Sequence, residues 1–85
     1  MKIQIKYLTS LRDQTGKRQE TINVPPGSTL DDVAAWLKEH RAIALPDEHI
    51  MTTLNGRGWD QFPSQWATEL QDGDAICLFP PIGGG

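Results

Sequence analysis

Ile3, Ile5 and Tyr7 alternate with Lys2, Gln4 and Lys6. This period of two turns one row of side chains inward and the other to water, and predicts a strand over residues 2–8. Thr9 to Arg18, with Asp13, Gly16 and Lys17, shows no such period and reads as a loop. Thr21-Ile22-Asn23-Val24 alternates again and predicts a second strand beside the first. Pro25-Pro26-Gly27 stops it, because proline has no N–H to give a ladder. Leu30, Val33, Ala34 and Leu37 then fall at i, i+3, i+4 and i+7, the stripe of an amphipathic helix over residues 29–40. Ser28 or Thr29 supplies its N-cap, and Ser28 with Asp31 has capping-box spacing in an Asp form. Asp31 and Asp32 at its start, and Lys38, His40 and Arg41 near its end, complement the helix dipole.

Ile50 to Leu54 predicts a further strand that ends at Asn55-Gly56, a hairpin pair tolerant of positive φ. Arg57 to Asp60 reads as a short partner strand, and residues 61–71 are irregular around Pro63, Trp59 and Trp66. Asp72-Gly73 marks a turn. Ala75-Ile76-Cys77-Leu78-Phe79 is apolar throughout and predicts a buried, central strand, closed by Pro80-Pro81. The order is strand, strand, helix, strand, short strand, strand, with the first and last strands at the sheet centre. That is an α+β layout of the β-grasp (ubiquitin-like) kind: a mixed sheet of four to five strands packed on one main helix. Residues 1–81 form its single domain and residues 82–85 a flexible glycine tail.

Eighty-five residues give room for one modest core and none for a large catalytic cleft. Eight Lys and Arg against eleven Asp and Glu leave a net charge of −3, which disfavours a nucleic-acid partner. A single cysteine, Cys77, makes no internal disulfide. The alternating start lacks a signal-peptide core, and no run approaches the ~20 apolar residues of a membrane span. The expectation is a cytoplasmic protein with no membrane partner. His40 and His49, even with Asp47 and Glu48 nearby, lack ligand spacing and read as surface polar residues, so no metal and no bound cofactor is expected. No Ser/His/Asp set and no phosphate-cradling glycine loop is present, and no independent enzymatic activity is expected.

The chemistry lies at the end of the chain. Three terminal glycines, Gly83, Gly84 and Gly85, follow an uncharged stretch from Ala75 onward. A free α-carboxylate, with a pKa of about 3.3–3.7, is an anion at neutral pH and a poor electrophile. It accepts sulfur or an amine only after conversion to a mixed anhydride, for example by ATP. An enzyme that does this must admit the terminus into a narrow channel, and glycine, lacking Cβ, is thin enough to enter. Pro80 and Pro81 stiffen the base of the tail.

Asp72-Gly73-Asp74 followed by Phe79-Pro80-Pro81-Ile82-Gly83-Gly84-Gly85 resembles the ending of the MoaD/ThiS family of ubiquitin-like sulfur carriers. Phe followed by two prolines looks most like the molybdopterin synthase small-subunit branch. Leu11-Arg12-Asp13…Gly16 is similar to the family's first loop, and Leu54-Asn55-Gly56-Arg57 to its mid-chain turn. The segment between Asn55 and Asp72 is longer and richer in Trp than is usual for that branch, and Gly83 stands where a side chain is common.

The resemblance implies that an ATP-using, MoeB/ThiF-like adenylating enzyme activates Gly85 and that a sulfur donor converts it to a thiocarboxylate. The sulfur then passes to a substrate on a second protein, such as the molybdopterin synthase large subunit. It also implies that Phe79, Pro80, Pro81, Ile82, Gly83, Gly84 and Arg12 meet these partners.

Strand alternation sets Ile76 and Leu78 on one face and Cys77 and Phe79 on the other. Phe79 is then an anchor for a partner, or packs against Trp59 or Trp66. Arg12 either meets an acidic patch on a partner or is a solvated charge. Cys77 has no neighbouring cation in sequence to lower its pKa and reads as a small hydrophobe. Trp36 completes the helix stripe, and Lys2, Lys6, Lys17 and Arg18 form a solvated basic face. Three functions fit: a sulfur carrier for pterin, thiamine, tRNA or cysteine pathways, a ubiquitin-like modifier joined to lysine through the same activated Gly85, or a non-covalent interaction domain.

Overall fold

A computed structural model describes residues 1–81. Chain order is β1 (Lys2–Tyr7), α1 (Ser10–Thr15), β2 (Gln19–Asn23), α2 (Leu30–Arg41), β3 (Met51–Leu54), β4 (Arg57–Gly58) and β5 (Ala75–Phe79), with 3₁₀ turns at Trp59–Gln61 and Gln65–Ala67 between the last two strands. The five strands form one mixed sheet in the order β2-β1-β5-β3-β4. β1 pairs parallel with β5 (Ile5↔Ile76, Tyr7↔Leu78) and antiparallel with β2 (Ile3↔Ile22). β3 pairs antiparallel with β5 (Thr52↔Leu78, Leu54↔Ile76). The first and last strands are thus the centre, as the apolar pattern required, and the architecture is β-grasp.

One face of the sheet is buried against α2. Ile3, Ile5, Tyr7, Ile22, Leu54, Ile76 and Leu78 meet Leu30, Val33, Ala34 and Leu37, the four positions of the predicted stripe. Leu11, Val24, Ile43, Trp59 and Leu70 close the edges, and Trp36 packs half-buried against this core. Burial of such side chains contributes about 1.5–3 kcal/mol each.

Four local expectations need correction. Residues 9–18 are not all loop: Ser10–Thr15 form α1, which ends where Gly16 takes a left-handed conformation (φ 73°) and donates its N–H to the Arg12 carbonyl at 2.8 Å. A helix of six residues is too short to print a stripe; only Leu11 is buried on it. The cap of α2 is Thr29 with Asp32, not Ser28 with Asp31. Thr29 N–H donates to Asp32 Oδ2 at 2.8 Å and Asp32 N–H to Thr29 Oγ1 at 3.4 Å, while Ser28 is buried and bonds the Pro25 carbonyl at 2.7 Å. The strand after Asn55-Gly56 stops at Gly58, because Trp59 turns into the core as a 3₁₀ turn begins. β5 is central, but only Ile76 and Leu78 are buried; Ala75, Cys77 and Phe79 are half-buried on the opposite face.

The sequence pattern did not single out an ionic cluster that fastens β1, β2 and α2 together. Tyr7 Oη donates to Glu20 Oε2 at 2.6 Å, and Arg41 Nε donates to the same oxygen at 2.7 Å while Nη2 reaches Oε1.

Candidate functional site

Two turns fix the position of β5. In the Asp72-Gly73-Asp74 turn, Asp72 Oδ1 accepts the Lys2 N–H at 2.6 Å and Gly73 N–H donates to the Lys2 carbonyl at 2.8 Å. Asp74 Oδ2 accepts the Gln71 N–H at 2.8 Å, and the Asp74 carbonyl accepts the Gln4 N–H at 2.9 Å. From the other side, Asn55 and Gly56 adopt positive φ (52° and 86°), as the Asn-Gly pair predicts. Asn55 Oδ1 accepts the Ala75 N–H at 3.0 Å. These bonds set the register of β5, and the pleat then carries alternate residues to alternate faces. The motif residues at 55–56 and 72–74 are therefore structural, and their effect is to present Phe79.

On the open face of the sheet, Phe79 lies opposite Met51 of β3. On its other side the ladder of β1 continues one residue past Tyr7, with Leu8 N–H donating to the Leu78 carbonyl at 3.0 Å, which brings Leu8 level with Phe79. Leu8 and Met51 are the two large hydrophobic residues most exposed among the described residues, at 44% and 47%. An apolar row, Leu8–Phe79–Met51, thus crosses three adjacent strands on a face otherwise carrying Gln4, Lys6 and Thr21. A hollow of about 480 Å³ continues from it along Lys6, Thr53, Ala75 and Cys77. Trp59 and Trp66 pack edge to face with each other (centroids 5.1 Å apart), and Phe79 is not a member of that core.

Because β1 and β5 run parallel, they end at the same edge of the sheet. Leu8 leads directly into α1, whose Leu11 N–H donates to the Leu8 carbonyl at 3.1 Å. The exposed Arg12 therefore stands at the edge where Pro80 and Pro81 carry the chain out of β5. Pro80 is half-buried and Pro81 exposed. Ile82, Gly83, Gly84 and Gly85 lie outside the described residues. Sequence reasoning found Phe79 but missed Leu8 and Met51. The available signal was an apolar Leu8 in the phase of Lys2, Gln4 and Lys6, where a polar residue belongs.

Cys77 neighbours Lys6 and Thr53 across the ladder. Burial pushes its thiol pKa up, and the Lys6 charge draws it only partly back. It is therefore no ready nucleophile.

Residues 5–85 match the profile of the ThiS family. The chain belongs to that family. Among its curated relatives, small archaeal modifier protein 3 of Haloferax volcanii is 29% identical and the molybdopterin synthase sulfur carrier subunit of Chlamydomonas reinhardtii 26%, each alignment spanning all of both chains. Among solved structures, a putative molybdopterin converting factor subunit 1 of Pyrococcus furiosus superposes with a TM-score of 0.79 at 27% identity, over 96% of this chain and 99% of that one. Chains of two-protein complexes also share the ThiS-family fold seen here. The protein is a ubiquitin-like, β-grasp member of the ThiS/MoaD family. No helix among the described residues is long and apolar enough to cross a membrane.

Proposed function

We propose that the chain serves molybdopterin synthesis as the small subunit of a molybdopterin synthase, with Gly85 as the reacting group. The observation that carries this reading is the Leu8–Phe79–Met51 row at the edge where the chain leaves β5 for its glycine tail. A partner seated on that row meets the tail at its root, and the tail is then led into the partner's site.

A MoeB/ThiF-like adenylating enzyme uses ATP to convert the Gly85 carboxylate to an acyl-adenylate, releasing pyrophosphate. A sulfide equivalent displaces AMP and leaves a thiocarboxylate. That sulfur passes to a pterin precursor held by the large synthase subunit. Phe79, Leu8 and Met51 hold the partner, Arg12 flanks the exit with a positive charge, and Pro80 and Pro81 stiffen the root of the tail. Two observations favour the pterin pathway: the Phe79-Pro80-Pro81 run, and likeness to a relative and a solved structure that are both named as molybdopterin-related subunits.

A second reading, a protein modifier in which a lysine amine displaces AMP, is favoured by the 29% identity to an archaeal modifier. One experiment separates the two. The untagged chain is incubated with the purified adenylating enzyme of its own genome, ATP and a sulfide donor, and its intact mass is read. Replacement of one oxygen by one sulfur, lost when Gly85 is deleted, supports the carrier. Lysine-linked species in lysate support the modifier. No ATP-dependent change overturns both.

A further inference from the structure

A groove of about 370 Å³ opens beside the apolar row, between the segment leading into β3 and the 3₁₀ turns that follow β4. Its walls are apolar, built from Leu45, Pro46, Ile50, Met51, Trp59 and Trp66. Its rim carries the exposed carboxylates of Asp47, Glu48 and Asp60, and no cationic side chain lines it among the described residues. Arg57 is not a lining residue but stands beside the groove, already engaged: its guanidinium lies 4.9 Å over the Phe62 ring and Nη2 donates at 3.0 Å to the carbonyl of Gln61, which lines the groove. His49 approaches Glu48 at 3.4 Å, but both side chains are over 80% exposed, where such a pair contributes little.

Two further observations mark this groove as a seat for something. Trp59 is 1% exposed, yet its Nε1 is the one buried side-chain nitrogen or oxygen among the described residues without a hydrogen-bond partner. Met51, nearly half exposed, belongs both to this wall and to the row beside Phe79. A partner that covers Phe79 and Met51 therefore borders the groove.

We propose that the groove takes a Lys- or Arg-bearing segment of the adenylating enzyme that docks on the Leu8–Phe79–Met51 row. This rests on the docking reading given above. A long basic side chain lays its aliphatic stem along Ile50 and Met51 and brings its charge to the carboxylate rim. Trp66, half-buried in the wall, offers a ring face to the same cation. The adenylating enzyme is the partner that both the carrier and the modifier readings require, so its segment is the occupant assigned. The groove then governs which enzyme recognises the chain, while the glycine tail supplies the reacting group.

The test uses ATP–pyrophosphate exchange by the purified adenylating enzyme of the same genome, with the full-length chain as substrate. The double variant Glu48→Lys, Asp60→Lys reverses two exposed charges. It is expected to raise KM about ten-fold with kcat unchanged, and the effect shrinks as salt rises. The neutral pair Glu48→Gln, Asp60→Asn falls between it and the wild type, and keeps the test readable if the reversal disturbs the fold. In ¹⁵N-labelled chain the Trp59 indole N–H signal shifts when the enzyme is added. If neither pair changes KM while Phe79→Ala raises it, the groove assignment is overturned and the docking reading stands. A rise in KM indifferent to salt overturns it too. If the wild-type chain supports no exchange with an enzyme shown to be active on another carrier, the underlying function fails instead.

Discussion

Asn55 and Asp74 are 19 residues apart in sequence, yet the Asn55 side-chain amide donates to Asp74 Oδ1 at 3.0 Å. The same Asn55 accepts from the Ala75 N–H through Oδ1 (3.0 Å) and donates its own N–H to the Ala75 carbonyl (2.8 Å). The β3–β4 turn is thereby clamped to the first residue of β5. Asn55→Gly keeps the positive φ but loses both side-chain bonds, so the variant is expected to be about 1–2 kcal/mol less stable. Urea denaturation checks the magnitude, and faster hydrogen exchange at Ala75 checks the place.

The Tyr7–Glu20–Arg41 cluster makes stability depend on pH at both ends. The hydrogen bonds from Arg41, aided by that from Tyr7, hold the Glu20 carboxyl below the usual carboxylate range. Its contribution is therefore complete above the ordinary value of about 4.3 and is lost as pH falls through the lower native value. Burial first, and Glu20 second, push the Tyr7 hydroxyl up. The native state then keeps that proton when the unfolded chain releases it, and stability declines as pH rises above about 10. Glu20→Gln is expected to cost about 1.5–3 kcal/mol at neutral pH and to flatten the acid limb. Thermal melts of both proteins from pH 3 to pH 11 read the two limbs.

Phe79→Ala removes the centre of the apolar row without touching Ile76 or Leu78, which hold β5 to α2. Its melting temperature is expected to stay near that of the wild type, while affinity for the adenylating enzyme falls about ten-fold or more, the behaviour of a central anchor. Leu8→Ala and Met51→Ala, at the flanks, should each cost less. Calorimetric titration of the three variants ranks them, and equal small effects would remove Phe79 from the docking surface.

Cys77, with its thiol pushed up by burial, is expected to react with iodoacetamide more slowly at pH 7.5 than a free cysteine. Cys77→Ser should still acquire sulfur at Gly85. Intact mass after labelling, and after the sulfur-transfer reaction, checks both.

The strands, the main helix and their order were legible because each carries a local signal, whether a period, an apolar run or a turn. β1 alternates, the stripe of α2 repeats at helical spacing, and Asn55-Gly56 and Asp72-Gly73 mark turns through backbone preference alone. Six residues of α1 were not legible, since less than two turns shows no face. Nor was the choice of Thr29 over Ser28 as cap, because both have a hydroxyl three residues before an aspartate.

The sequence by itself determined the fold class, the terminal glycines on which the proposed chemistry depends, and the outward phase of Phe79. Those are properties of short stretches of chain. Only the tertiary structure decided which residues stand beside Phe79. Leu8 and Met51 come from strands 43 positions apart and meet across β5 through ladder register, and Tyr7, Glu20 and Arg41 meet in the same way from three elements. Such neighbours are set by strand pairing between distant segments, and no local pattern records that.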